Sequence, residues 1–117
     1  MKSITFLFAW LLLLPLFNTY AMASELNYQD ALIIDVRTLE EWQQGHLKNA
    51  TLMPLDQLTR QITEQEISKD QQILLYCRSG NRAGKAQKLL EQLGYTQVLN
   101  LGGLGQASQT LQQEIVQ

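Results

Sequence analysis

The sequence predicts a single α/β domain built on a small parallel sheet with helices on both faces. Three observations predict it. Residues 31–36 (ALIIDV) and 73–77 (ILLYC) are short apolar runs rich in branched side chains. They have strand length and no polar alternation, the pattern of strands buried on both faces. Residues 82–93 place Ala83, Ala86, Leu89, Leu90 and Leu93 on one face at helical spacing. Strands alternate with helices along the chain, which calls for parallel pairing and helical crossovers. No repeat or low-complexity segment marks a linker or a second domain.

The first 23 residues form a separate unit. Lys2 supplies a positive start, residues 4–17 are apolar apart from Thr5 and Pro15, and Ala21-Met22-Ala23 is a small-x-small site. That is the pattern of a cleaved export signal, with cleavage before Ser24. The run is shorter than the ~20 apolar residues of a bilayer span. A signal is therefore expected rather than an anchor, with no stable membrane association after cleavage and a periplasmic or secreted product. Residues 24–117 are the expected domain.

Within it, the first strand spans residues 31–36. Thr38 is placed to cap a short helix over residues 39–44, which Gly45 ends. Residues 50–53 form a second short strand, stopped by Pro54. Asp56 is placed to cap a helix over residues 57–64, and residues 68–72 form a polar loop. The strand at residues 73–77 ends on Cys77, and residues 78–81 form a loop. The helix at residues 82–93 follows, with Gly94 as its left-handed terminator. A strand over residues 97–101, a Gly102-Gly103 turn and a weaker helical pattern over residues 104–116 complete the chain.

Charge narrows the function classes. The signal holds one of the nine Lys+Arg and none of the eleven Asp+Glu. The mature domain thus has eight against eleven, a net of −3. An acidic domain without a basic run is not expected to bind nucleic acid. A small anion can still find a local positive pocket. Cys77 is the sole cysteine, so it has no disulfide partner and is either a packed hydrophobe or a reactive thiol. With one histidine and one cysteine in the chain, no metal site is expected.

The neighbours of Cys77 favour the reactive thiol. A strand delivers it to the loop Arg78-Ser79-Gly80-Asn81, which opens a helix at Arg82. Gly80 and Asn81 tolerate the backbone angles that curl such a loop into an anion nest. The helix start adds unpaired N–H groups and a positive dipole end. Arg78, Arg82 and Lys85 add formal charge. Cysteines in such settings fall from a pKa of ~8.5 to ~3.5–7.5. Strand carboxyl ends are also where open α/β sheets gather ligands.

Residues 77–83 (CRSGNRA) resemble the active-site loop of rhodanese-domain sulfurtransferases. Asp35-Val36-Arg37 resembles that family's Asp-x-Arg after its first core strand. Residues 41–50 (EWQQGHLKNA) resemble its acidic-aromatic-x-x-Gly-His-aliphatic-x-x-Ala signature. Leu93-Gly94-Tyr95 and residues 98–103 (VLNLGG) resemble its downstream motifs. The ordered set covers most of the domain, and the small exported chain looks like the phage-shock-type periplasmic rhodaneses. Two departures stand out. No aromatic follows Gly102-Gly103, where the sequence reads Leu104-Gly105-Gln106. Little chain separates the signal from Asp35, so the family's leading strand and helix are expected to be reduced or absent.

The resemblance implies a rhodanese-like fold and a double displacement without a bound cofactor. The Cys77 thiolate takes sulfur from a small anionic donor such as thiosulfate. The resulting persulfide passes it to a thiophilic acceptor such as cyanide or a thiol. Arg78 is expected to attract the donor, and Ser79 to reach the persulfide by its hydroxyl. The backbone of Gly80 and Asn81 would cradle the sulfur. Arg82 either contacts the anion or pairs with a carboxylate that stiffens the loop. Asp35, Arg37 and Lys85 are expected to support the site, although Arg37 also has Glu40 and Glu41 within reach as ion-pair partners. His46 fits a structural turn, Trp42 an anchor, and Asn100 backbone geometry. Three other functions compete. A cysteine phosphatase of this fold needs five residues between Cys and Arg; here there are four. An arsenate reductase is a further possibility, as is a persulfide carrier or partner-binding module.

Overall fold

The computed structural model describes residues 27–117. The expected export signal lies outside the described residues. Before the first strand there is a turn at residues 29–30. Four parallel strands form the main sheet: β1 (Leu32–Asp35), β3 (Thr51–Leu52), β4 (Ile73–Cys77) and β5 (Val98–Gly103), in the order β3-β1-β4-β5. The apolar runs dictate this arrangement, because every β4 side chain is buried and β1 is buried from Ile33 onward. Such strands are stable only where both sheet faces are covered.

Helices α2 (Leu58–Glu64) and α3 (Asn81–Gln92) cover one face. There Leu58, Ile62, Ala83, Ala86 and Leu90 pack with Ile34, Met53, Ile73 and Leu75. On the other face, α4 (Leu104–Leu111) places Ala107 against Ile33, Leu47, Leu74 and Tyr76. Helix α1 (Leu39–Gln43) begins with a complete capping box between Thr38 and Glu41.

Three sequence expectations need correction. Asp56 caps nothing: the chain enters α2 through a 3₁₀ turn, Leu55–Gln57, and the cap residue Gln57 has no side-chain bond. Gly102-Gly103 is no turn but the end of β5. It runs on beside the site, with Gly103 in register with Cys77 after an irregularity in β4. Helix α4 stops at Leu111, where Gln112 takes a left-handed conformation. The last residues then form β6 (Ile115–Val116), antiparallel to β2 (His46–Leu47).

Candidate active site

β4 carries Cys77 to the carboxyl edge of the sheet, where the thiol is 1% exposed. The chain then curls through Arg78 and Ser79 to Gly80, whose φ of +94° suits glycine. This curl aims backbone N–H groups at the sulfur. The Gly80 N–H donates to Cys77 Sγ at 2.9 Å. Burial alone pushes the thiol pKa up. The N–H groups of Ala83, Ser79, Gly80 and Arg82 together outweigh burial and hold it below the ordinary thiol value. Helix α3 begins at Asn81, so part of this cradle is its first turn.

The loop side chains divide by role. Arg78 and Ser79 are exposed, and among the described residues Arg78 makes no ion pair. Asn81 is exposed on the far side of Gly80. It lines a depression along α3 with Lys85 and Lys88. Lys85 thus lies on an outer helix face rather than over the sulfur. Arg82 turns back to α1: its Nη1 and Nη2 donate to Glu41 Oε1 and Oε2 at 2.6 and 2.9 Å. Of the two roles open to Arg82, pairing with a carboxylate is the one the geometry displays. The bond to Arg82 holds the Glu41 carboxyl down at about 2, and Glu41 holds the Arg82 guanidinium above its ordinary value.

Asp35 and Arg37 pair with each other. Arg37 Nη2 donates to Asp35 Oδ2 at 2.7 Å and to the Gly45 carbonyl at 2.6 Å. Arg37 Nε donates to both Asp35 oxygens at 3.0 Å. Neither Glu40 nor Glu41 is the partner of Arg37; the short i to i+2 reach across the end of β1 wins. Burial opposes the Arg37 charge, but the bonds to Asp35 keep its pKa raised. The pair fixes Gly45, and with it the turn after α1. His46 stacks on Trp42, ring centroids 3.5 Å apart, and its Nδ1 lies 2.9 Å from the Trp42 carbonyl. It serves the turn.

A cleft of about 370 Å³ opens beside the loop, lined by Arg37, Glu41, Gln44, Gly45, Arg78 and Leu104. Two of its charges are already matched, Arg37 by Asp35 and Glu41 by Arg82. Arg78 is left as the lining cation that makes no ion pair among the described residues. Leu104 stands just past Gly102-Gly103, where the sequence departs from the resembled family. Gln44, Gly45 and Leu104 were not singled out as site residues from sequence. For Gln44 and Gly45 the available signal was the signature at residues 41–50, which also carries Glu41.

The profile of the rhodanese-like domain family matches residues 19–107. Thiosulfate sulfurtransferase PspE of Escherichia coli (strain K12) is 38% identical over 71 residues, covering 61% of this chain and 68% of that protein. A sulfurtransferase of Allochromatium vinosum is 41% identical over 75 residues, covering 64% and 68%. Among solved structures, a rhodanese with anions from E. coli superposes with a TM-score of 0.62 at 36% identity, covering 65% of this chain and 89% of that one. A Cys-led loop curled around its own sulfur, on a parallel sheet with this helix placement, agrees with those likenesses. The chain belongs to the rhodanese-like domain family.

Proposed function

We propose that the protein is a sulfurtransferase that takes sulfane sulfur from thiosulfate and passes it on through a Cys77 persulfide. The observation that carries this reading is the ring of backbone N–H groups converging on Cys77 Sγ, with Gly80 at 2.9 Å. Such a ring stabilises a thiolate, and after transfer a persulfide anion, without help from a base. The relatives named as sulfurtransferases support the same chemistry.

In the first step the Cys77 thiolate attacks the outer sulfur of thiosulfate. A new S–S bond forms on Cys77, the S–S bond of thiosulfate breaks, and sulfite leaves with the electron pair. Three negative charges enter and three remain, so no proton moves. In the second step an acceptor such as cyanide attacks the terminal sulfur of the persulfide. Thiocyanate leaves and the Cys77 thiolate returns. Arg78, exposed on the cleft wall, draws in the anionic donor. Arg82 holds the loop through Glu41, and Asp35 with Arg37 hold the turn opposite. The reaction needs no cofactor, because the persulfide is the carrier.

We further propose that the mature protein begins at Ser24 and lies outside the inner membrane, because residues 1–23 have the pattern of a cleaved export signal. No helix among the described residues is long and apolar enough to cross a membrane. Thiocyanate formation by wild type and Cys77→Ser tests the chemistry, with intact-mass measurement after thiosulfate treatment. Wild type should form thiocyanate and gain one sulfur; Cys77→Ser should do neither. Equal rates in the two proteins would remove Cys77 from the mechanism.

A further inference from the structure

We infer that Asn100 is a positioning residue for the Cys77 thiolate, acting through the Gly80 peptide. Asn100 sits in β5, twenty residues beyond the loop, and never touches the sulfur. Its Nδ2 donates to the Gly80 carbonyl at 2.9 Å, and its Oδ1 accepts from the Gly102 N–H at 2.8 Å. One side chain thus clamps the loop to the end of β5.

The clamped carbonyl is well chosen. The Gly84 N–H also donates to it at 2.9 Å, so it points away from Cys77 along α3. The peptide group is planar and trans, which sends the next N–H, that of Asn81, to the opposite side. On the other flank of the same residue, the Gly80 N–H donates to Cys77 Sγ. Gly80 stands at φ +94° and as a glycine has no side chain to resist rotation of its two peptides. The Gly84 N–H holds the Gly80 carbonyl from within α3, and Asn100 adds a second bond that ties the same carbonyl to β5.

The backbone closes in around the same clamp. A Cβ on Gly80 would lie 3.2 Å from Gly102 Cα, and a Cβ on Gly103 would lie 2.5 Å from the Arg78 carbonyl oxygen. The end of β5 is therefore a template pressed against the loop. Without Asn100 the Gly80 carbonyl keeps only its bond to Gly84, the loop is no longer tied to β5, and the Gly80 N–H can drift off the Cys77 sulfur. This inference rests on the reading of Cys77 as the ionised nucleophile.

The experiment is the rate of Cys77 alkylation by iodoacetamide against pH in wild type, Asn100→Ala and Asn100→Leu, alongside thiosulfate kinetics. Leu fills much of the Asn volume without forming either hydrogen bond. Both variants should shift the alkylation midpoint upward by about one pH unit, a roughly tenfold smaller thiolate fraction at neutral pH. The kcat should fall with little change in KM, because Arg78 is untouched. Folded variants whose midpoint and kcat match wild type overturn the inference, leaving Asn100 a stability residue only. If Asn100→Ala does not fold, Asn100→Leu decides. A wild-type midpoint at the free-thiol value is a different result: it overturns the thiolate reading itself, and this inference with it.

Discussion

Glu41 grips Arg82 with both carboxylate oxygens, at 2.6 and 2.9 Å, and so ties α1 to the start of α3 beside the Cys77 loop. The two residues are 41 apart in sequence. The same carboxylate closes the capping box on Thr38. It therefore serves two partners at once, the backbone of its own helix and the Arg82 guanidinium beside the Cys77 loop.

Acid should loosen the tie between Glu41 and Arg82. The Glu41 carboxyl is held at about 2, against an ordinary 4.5. A depressed carboxylate stabilises the fold above its unfolded pKa and loses that contribution as pH falls toward its folded one. Glu41→Gln should therefore cost about 1–2 kcal/mol at neutral pH, a figure reduced for partial exposure. The gap to wild type should close between pH 4.5 and 2. Urea unfolding at several pH values checks this; a gap independent of pH would mean that the charge contributes nothing.

Arg78 should act on donor binding. Because it is exposed and makes no ion pair among the described residues, Arg78→Ala should raise KM for thiosulfate with little effect on kcat. Added salt should weaken donor binding more in wild type than in the variant. Kinetics at two ionic strengths are sufficient. An unchanged KM would give the recruiting role to another cation.

The acid limb of the kcat/KM profile should belong to Cys77 and not to His46. The thiol pKa lies below its ordinary value, so activity should persist below the pH at which a free thiol protonates and fall only as pH drops through the lowered pKa. His46 stacks on Trp42, and His46→Asn should leave the limb in place while lowering stability by about 1 kcal/mol. Displacement of the limb in that variant would make His46 a participant in the chemistry.

The buried pair Asp35–Arg37 should be costly to halve. Asp35 is fully buried and Arg37 is 6% exposed. Arg37→Met leaves a carboxylate without its cation, and such losses cost about 3–5 kcal/mol. It also frees the Gly45 carbonyl. Denaturant unfolding measures the loss; less than 1 kcal/mol would show that Asp35 finds solvent or another partner.

Gly103 should tolerate no side chain. A Cβ there would meet the Arg78 carbonyl oxygen at 2.5 Å, and backbone cannot move aside as a flexible side chain can. Gly103→Ala should destabilise by about 1–3 kcal/mol. It should also slow sulfur transfer by about tenfold or more through displacement of the loop. Thermal unfolding and thiocyanate assays run together would show whether both effects occur.

The strand ending at Cys77 and the helix behind it were legible because their signals are local. An unbroken apolar run and a 3.6-residue stripe both survive in a single sequence. The Thr38 cap was legible for the same reason. What escaped depends on distant partners. Strands β2 and β6 are two residues each, too short for any periodicity, and exist because they find each other across the fold. Gly102-Gly103 reads as a turn by composition, yet it stays in the sheet because Gly103 lies flat against the Arg78 backbone. The case for a reactive Cys77 was visible in its own neighbours. The holders of its loop, Glu41 and Asn100, were visible as motif letters whose purpose needs the third dimension.

The pairing of β6 with β2 bears on the order in which the molecule matures. A chain lengthening from its amino end has every strand of the main sheet once Gly103 is added, but α4 must follow before the second face is covered. The turn carrying Gly45 waits longer. The Lys48 N–H donates to the Glu114 carbonyl, and Ile115 packs against Gly45, so the cleft wall that Arg37 holds from one side is braced from the other by residues 114–116, beyond α4. A chain clipped shortly after α4 would keep its main sheet and lose that second brace.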